Sequence, residues 1–189
     1  MAKNVAVFGI YPTQVALDAA IERLREAGFR STDISVLFPE NVGNKDLATN
    51  KATKAPEGAS TGAGTGAVIG GTLGWLAGIG ALAIPGLGPF IAAGPIVAAL
   101  AGVGAGGAVG GITGGLIGLG MPEYEAKRYE GRITHGGILL SVHADNSEWT
   151  KRAEAVLKET GATDISSTGE TKGDVDNTDR PMTRGGGTV

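Results

Sequence analysis

Apolar and polar positions along this chain follow three patterns, and each predicts a different element. Residues 5–10 are a β-rich apolar run. After them Leu17, Ala20, Ile21, Leu24 and Ala27 recur at the three- and four-residue spacing of one helix face, up to Gly28. A second apolar run at 34–38 completes a β-α-β pattern. The same order returns later, with a strand at 138–142 and then Trp149, Ala153, Val156, Leu157 and Thr160 on one helix face, up to Gly161. Asp145, followed three residues on by Glu148, predicts a capping box at the start of that helix. Thr32-Asp33-Ile34-Ser35 in the first unit recurs as Thr163-Asp164-Ile165-Ser166 in the second. Neither unit buries its helix stripe alone, whereas two units interleaved in one sheet, with both helices on one face, do. The expected fold class is α+β, a ferredoxin-like split β-α-β domain.

The third pattern interrupts the other two. Residues 58–122 contain no charged side chain, although both flanks are charged at ordinary density. Within this block Gly62, Gly66, Gly70, Gly74 and Gly78 recur every fourth residue, and so do Gly102, Gly106, Gly110, Gly114 and Gly118. Both series read as glycine zippers, helix-packing stripes that let backbones approach closely. Pro85, Gly86, Gly88 and Pro89 form a breaker cluster between them, predicting the turn of a helical hairpin with helices at about 62–84 and 95–119.

Solvent decides how such glycines are tolerated. Glycine costs about 1 kcal/mol relative to alanine in a water-exposed helix, so two such stripes would penalise soluble helices by on the order of 10 kcal/mol. In hydrocarbon the backbone must be helical whatever its propensity, because an unpaired peptide group costs several kcal/mol there. Residues 63–84 would span about 33 Å and 96–119 about 36 Å, against a hydrocarbon core of about 30 Å. A transmembrane hairpin is therefore expected, with the lipid bilayer as a partner. Lys45, Lys51 and Lys54 precede it and Lys127, Arg128 and Arg132 follow it, while its turn carries no charge. That bias places both soluble halves and both termini in the cytoplasm, at the bacterial inner membrane.

The predicted organisation is a first half-domain at 1–40, a linker at 41–60 and the glycine-zipper hairpin at 61–120. A short helix and the second half-domain follow at 121–168, then a disordered, polar tail at 169–189. The N-terminal apolar run is too short for a signal peptide and reads as a strand. The 34 glycines and the 5% aromatic content fit a biased, helix-packing segment rather than an ordinary soluble core. A net charge of -3 leaves no basic field for nucleic acid. The absence of cysteine excludes disulfides and thiolate chemistry.

No catalytic, cofactor-binding or metal-binding residue is assigned, and no enzymatic activity is expected. Gly102, Gly104 and Gly107 match a dinucleotide-binding glycine pattern, but they lie inside an uncharged Gly/Ala block rather than at a strand-to-helix turn. His135 and His143 are the two histidines, and His143 beside Asp145 reads as a solvated strand end rather than a metal ligand or general base. Glu123, Glu125, Lys127, Arg128 and Glu130 read as a short solvated helix from Pro122 to Gly131. A second reading makes that helix a membrane-surface collar, with Tyr124 and Tyr129 at the headgroup level. Trp75 is expected to pack or face lipid inside the first zipper helix.

VAVFGIY followed by an acidic helix, GFRSTDISVL, ALAIPGLGPFIAAGPIVAALAG and PEYEAKRYEGRITHGGILLSV resemble the bacterial heat-induced general stress protein family, across residues 3–166. The resemblance implies a stress-associated bacterial protein, often described as a membrane protein, with no established catalytic activity. The central block also resembles the two-helix small membrane subunit of quinol:acceptor oxidoreductase complexes, from which no cofactor ligand carries over. Three functions follow as expectations. The first is a non-enzymatic, structural or sensory stress protein in the membrane, self-associating as a homo-oligomer through its zippers. The second is a noncatalytic small subunit of a quinol-linked respiratory membrane complex. The third is a soluble ferredoxin-like sensor with a buried helical hairpin, whose small-molecule ligand is not identified.

Overall fold

Alternate residues of the first strand, β1 (Val5–Tyr11), serve two separate cores. Val7 and Tyr11 face one side of the sheet, and Ala6, Phe8 and Ile10 face the other. The structure, a computed structural model, describes residues 5–39, 80–84, 88–94 and 111–169. The sheet it contains has six strands: β1, β2 (Ile34–Pro39), β3 (Gly80–Ile84), β4 (Gly88–Ala93), β5 (Ile138–Ala144) and β6 (Thr163–Gly169). Their order is β3-β4-β2-β5-β1-β6, and every neighbouring pair is antiparallel.

The flanks supply the run β2-β5-β1-β6, which is the strand order of interleaved, split β-α-β units. Helices α1 (Gln14–Glu26) and α4 (Ser147–Glu159) connect them. Both lie on one face, burying Leu17, Ala20, Ile21 and Leu24 from α1 and Ala153, Val156 and Leu157 from α4. The Thr13 side chain caps α1 by accepting from Ala16 N, and Gly28, at φ +97°, takes the left-handed step after it. The cap of α4 differs from the expected Asp145 box. Asn146 caps it instead, its side-chain oxygen accepting from the N–H groups of Glu148 and Trp149. Asp145 is occupied with His143, whose Nε2 lies 3.1 Å from its Oδ1.

The described part of the charge-free block differs from the expected pair of helices. Gly80–Ile84 and Gly88–Ala93 are strands, paired as Ala83 with Pro89 and Ile84 with Gly88. Strand β4 then extends the sheet along β2, with Leu37 opposite Ala92 and Phe38 opposite Ile91. Burial explains the strand state, since Phe90 and Ala92 enter one core while Ile91 and Ala93 enter the other. A helix would send those neighbours around one axis, whereas a strand feeds both faces.

Of the helix expected at 95–119, the described part, residues 111–119, contains the short helix α2 (Ile112–Gly118). Gly111 precedes it at φ +92° and ψ -161°, far from helical geometry, so no continuous helix passes that residue. Among the described residues no helix is long and apolar enough to cross a membrane. The linker, residues 61–79, residues 95–110 and residues 170–189 lie outside the described residues.

Helix α3 (Glu123–Thr134) completes a second layer with α2 on the face opposite α1 and α4. It does not end at Gly131. A Cβ there would meet nothing within 4 Å, and the helix runs on until Gly136, at φ +95°, turns the chain into β5. Sheet and helices thus form three layers, with apolar side chains on both sheet faces.

Candidate functional site

The most elaborate polar arrangement in the described chain joins α3 to the edge strand β6. Pro122 supplies the fixed backbone turn that starts α3, and Glu123 and Glu125 in its first turn suit the positive end of the helix dipole. Ala126, Tyr129 and Ile133 lie three and four residues apart and are fully buried against the sheet. Tyr129 lies edge-on to Phe8, with ring centroids 6.3 Å apart.

Strand β6 carries a bulge. Phe8 faces Ser166 and Ile10 faces Thr163, so Asp164 and Ile165 together stand opposite Gly9. Asp164 takes φ +51° there. Its main-chain carbonyl accepts from the Tyr129 hydroxyl, while its carboxylate lies 3.1 Å from Arg132 Nε and 3.6 Å from Arg128 Nε. Two residues on, the Ser166 hydroxyl donates to Glu125 at 2.8 Å. Thr168 donates to the Gly120 carbonyl at 2.7 Å. A further hydrogen bond runs from the buried Thr113 hydroxyl of α2 to Glu130 of α3. Desolvation pushes the Tyr129 phenol well above its ordinary pKa, so it acts as a neutral donor at physiological pH.

Several sequence-predicted positions now have places. Gly114 is half-buried and Gly118 exposed, and a Cβ at Gly118 would meet nothing within 4 Å. The residues of α2 buried in the described structure are Ile112, Thr113, Gly115 and Leu116. Gly62, Gly66, Gly70, Gly74, Gly78, Gly102, Gly106 and Gly110 lie outside the described residues, as do Trp75, Pro85 and Gly86. Gly88 and Pro89 begin β4. Of the two tyrosines expected at a headgroup level, Tyr124 is 71% exposed but Tyr129 is buried beneath the sheet. His135 is exposed, its Nδ1 close to the Gly131 carbonyl, and His143 is on β5 with Asp145. Among the described residues no group of three or more His, Asp or Glu side chains is placed to hold a metal ion.

This arrangement holds protein to protein. It offers hydroxyls, carboxylates and guanidinium groups already committed to one another. The model of one protein family, described as "Alternative complex III, ActD subunit", matches residues 5–167. The chain belongs to this family. The match takes in both β-α-β units and the whole charge-free block between them. It supports the second of the two likenesses drawn from the sequence, to a respiratory complex subunit, and nothing supports the general stress protein family. The family's description is of one subunit of a larger complex. Comparisons with curated proteins and with solved structures returned no match.

Proposed function

We propose that this chain is a noncatalytic subunit of a respiratory membrane complex, with its α/β domain on the cytoplasmic surface of the bacterial inner membrane. One observation carries the reading: the family match runs unbroken from residue 5 to residue 167, through the charge-free block as well as the folded flanks. That block is anchored to the domain at two places, through β3 and β4 on the β2 edge and through α2 beneath the sheet. The domain therefore holds the middle and the C-terminal end of a block without a single charge, and that block is the part of the chain suited to contact the membrane part of the assembly. Partners are the other subunits of the complex rather than further copies of this chain. Lys45, Lys51 and Lys54 before the block, and Lys127, Arg128 and Arg132 after it, support the cytoplasmic side.

Protease treatment of oriented vesicles tests this. The chain should stay with carbonate-washed membranes and be cut in inside-out vesicles while remaining intact in right-side-out ones. Cleavage from the periplasmic side only would overturn the topology, and release by carbonate would overturn the membrane contact.

A further inference from the structure

Large apolar side chains left exposed among the described residues are Val15, Ile117 and Tyr124. Two of the three flank one turn. Ile117, 37% exposed, is at the end of α2, and Tyr124, 71% exposed, is in the first turn of α3. Between them Gly118 is exposed and faces open space. The charge-free block ends at Pro122, inside this same turn.

We propose that the α2–α3 turn is where the folded domain enters the headgroup layer of the bilayer, with Ile117 and Tyr124 as its contacts. This rests on the membrane reading above and adds the orientation of the domain. A lipid surface suits the chemistry of the turn. Isoleucine favours the acyl boundary, and tyrosine has an apolar ring with a polar tip, the combination enriched at membrane interfaces. The Tyr124 hydroxyl donates to Glu125 at 3.0 Å, leaving the ring flank as the apolar surface offered outward. The two carboxylates beside Tyr124 are already engaged within the chain, Glu123 with Lys127 at 2.7 Å and Glu125 as acceptor from Ser166 and Tyr124. With those groups engaged the contact is apolar rather than electrostatic, and it should persist at high salt. Val15 and the charged faces of α1 and α4 lie on the opposite side of the sheet and point away from lipid.

The chain has no cysteine, so single labels can be placed cleanly. Ile117→Cys, Tyr124→Cys and, on α4, Lys151→Cys are each made in the full-length chain, carry an environment-sensitive fluorophore, and are reconstituted into phosphatidylcholine/phosphatidylglycerol vesicles. The expected result is a blue shift and quenching by lipid-borne quenchers at 117 and 124, unchanged by salt, with the label at 151 remaining aqueous. A chain that binds vesicles while the labels at 117 and 124 stay in water overturns this orientation and leaves the membrane reading intact. Shielding of those labels only when the other subunits are present assigns the turn to a protein partner, which also overturns it. Failure of the full-length chain to bind vesicles at all removes the inference, and its simultaneous release from native membranes removes the membrane reading with it.

Discussion

The hydroxyl of Tyr11, the last residue of β1, lies 2.7 Å from Oγ1 of Thr160, which caps α4 at a separation of 149 positions along the chain. Thr160 in turn donates to the Val156 carbonyl at 2.7 Å, so the end of the first strand is fastened to the end of the last helix. This contact joins residues on either side of the charge-free block, alongside the pairing of β1 with β5 and β6 that puts both flanks in one sheet.

Burial pushes the Tyr11 phenol up to about 12, with the Thr160 hydrogen bond opposing that shift. The folded chain therefore holds this proton more tightly than the unfolded chain, whose tyrosine titrates near 10.0. Stability is full below that unfolded value and is lost as the pH climbs from there towards about 12. Tyr129 contributes in the same direction. Tyr11→Phe should cost about 1 kcal/mol at neutral pH and flatten the alkaline loss. Urea midpoints measured across the alkaline range check both effects, and an unchanged alkaline slope would contradict the assignment.

At Gly94, with φ +81°, an added Cβ would collide with the Ile34 carbonyl oxygen and lie 2.8 Å from Ser35 Oγ. Gly94→Ala should destabilise the attachment of β4 to β2 by about 3 kcal/mol, through strain and overpacking together. Gly118→Ala meets open space and should be neutral or stabilise by up to about 1 kcal/mol. Chemical denaturation of the two variants separates a glycine required by geometry from one that is not.

Tyr129→Phe keeps the ring beside Phe8 but leaves the Asp164 carbonyl without this donor. A loss of about 1 to 2 kcal/mol is expected, with faster amide exchange along β6 than along β5. Arg132→Ala removes an ion pair whose arginine side chain is 60% exposed, and should cost no more than about 1 kcal/mol. A larger loss from Arg132→Ala than from Tyr129→Phe would mean that the ion pair, rather than the buried phenol, holds the edge strand.

The legible and illegible parts of this fold divide along physical lines. Stripes such as Leu17, Ala20, Ile21 and Leu24 repeat over enough turns to show both helix and buried face, and two such units imply the interleaved sheet. The repeated Thr-Asp-Ile-Ser tetrapeptide marks equivalent positions with different chemistry. Asp33 accepts from the Arg30 backbone at 2.9 Å just before a central strand, whereas Asp164 stands in an edge-strand bulge beneath α3. Nothing local announces that difference. Strands β3 and β4 were hidden by length, because a few apolar residues between glycines and prolines carry too little periodicity to tell strand from helix. A missed signal did exist in α3, where Ala126, Tyr129 and Ile133 make an apolar stripe on a helix otherwise read as solvated. That stripe was the mark of the second layer.

Membership of a membrane complex is most directly tested by affinity capture of the tagged, full-length chain from detergent-solubilised membranes of its own cell. The account predicts that quinol:acceptor oxidoreductase subunits are recovered with it in constant proportion, in a particle far larger than the 18.9 kDa chain. Recovery of the chain alone, or only with copies of itself, while those subunits are captured intact without it, would contradict the account.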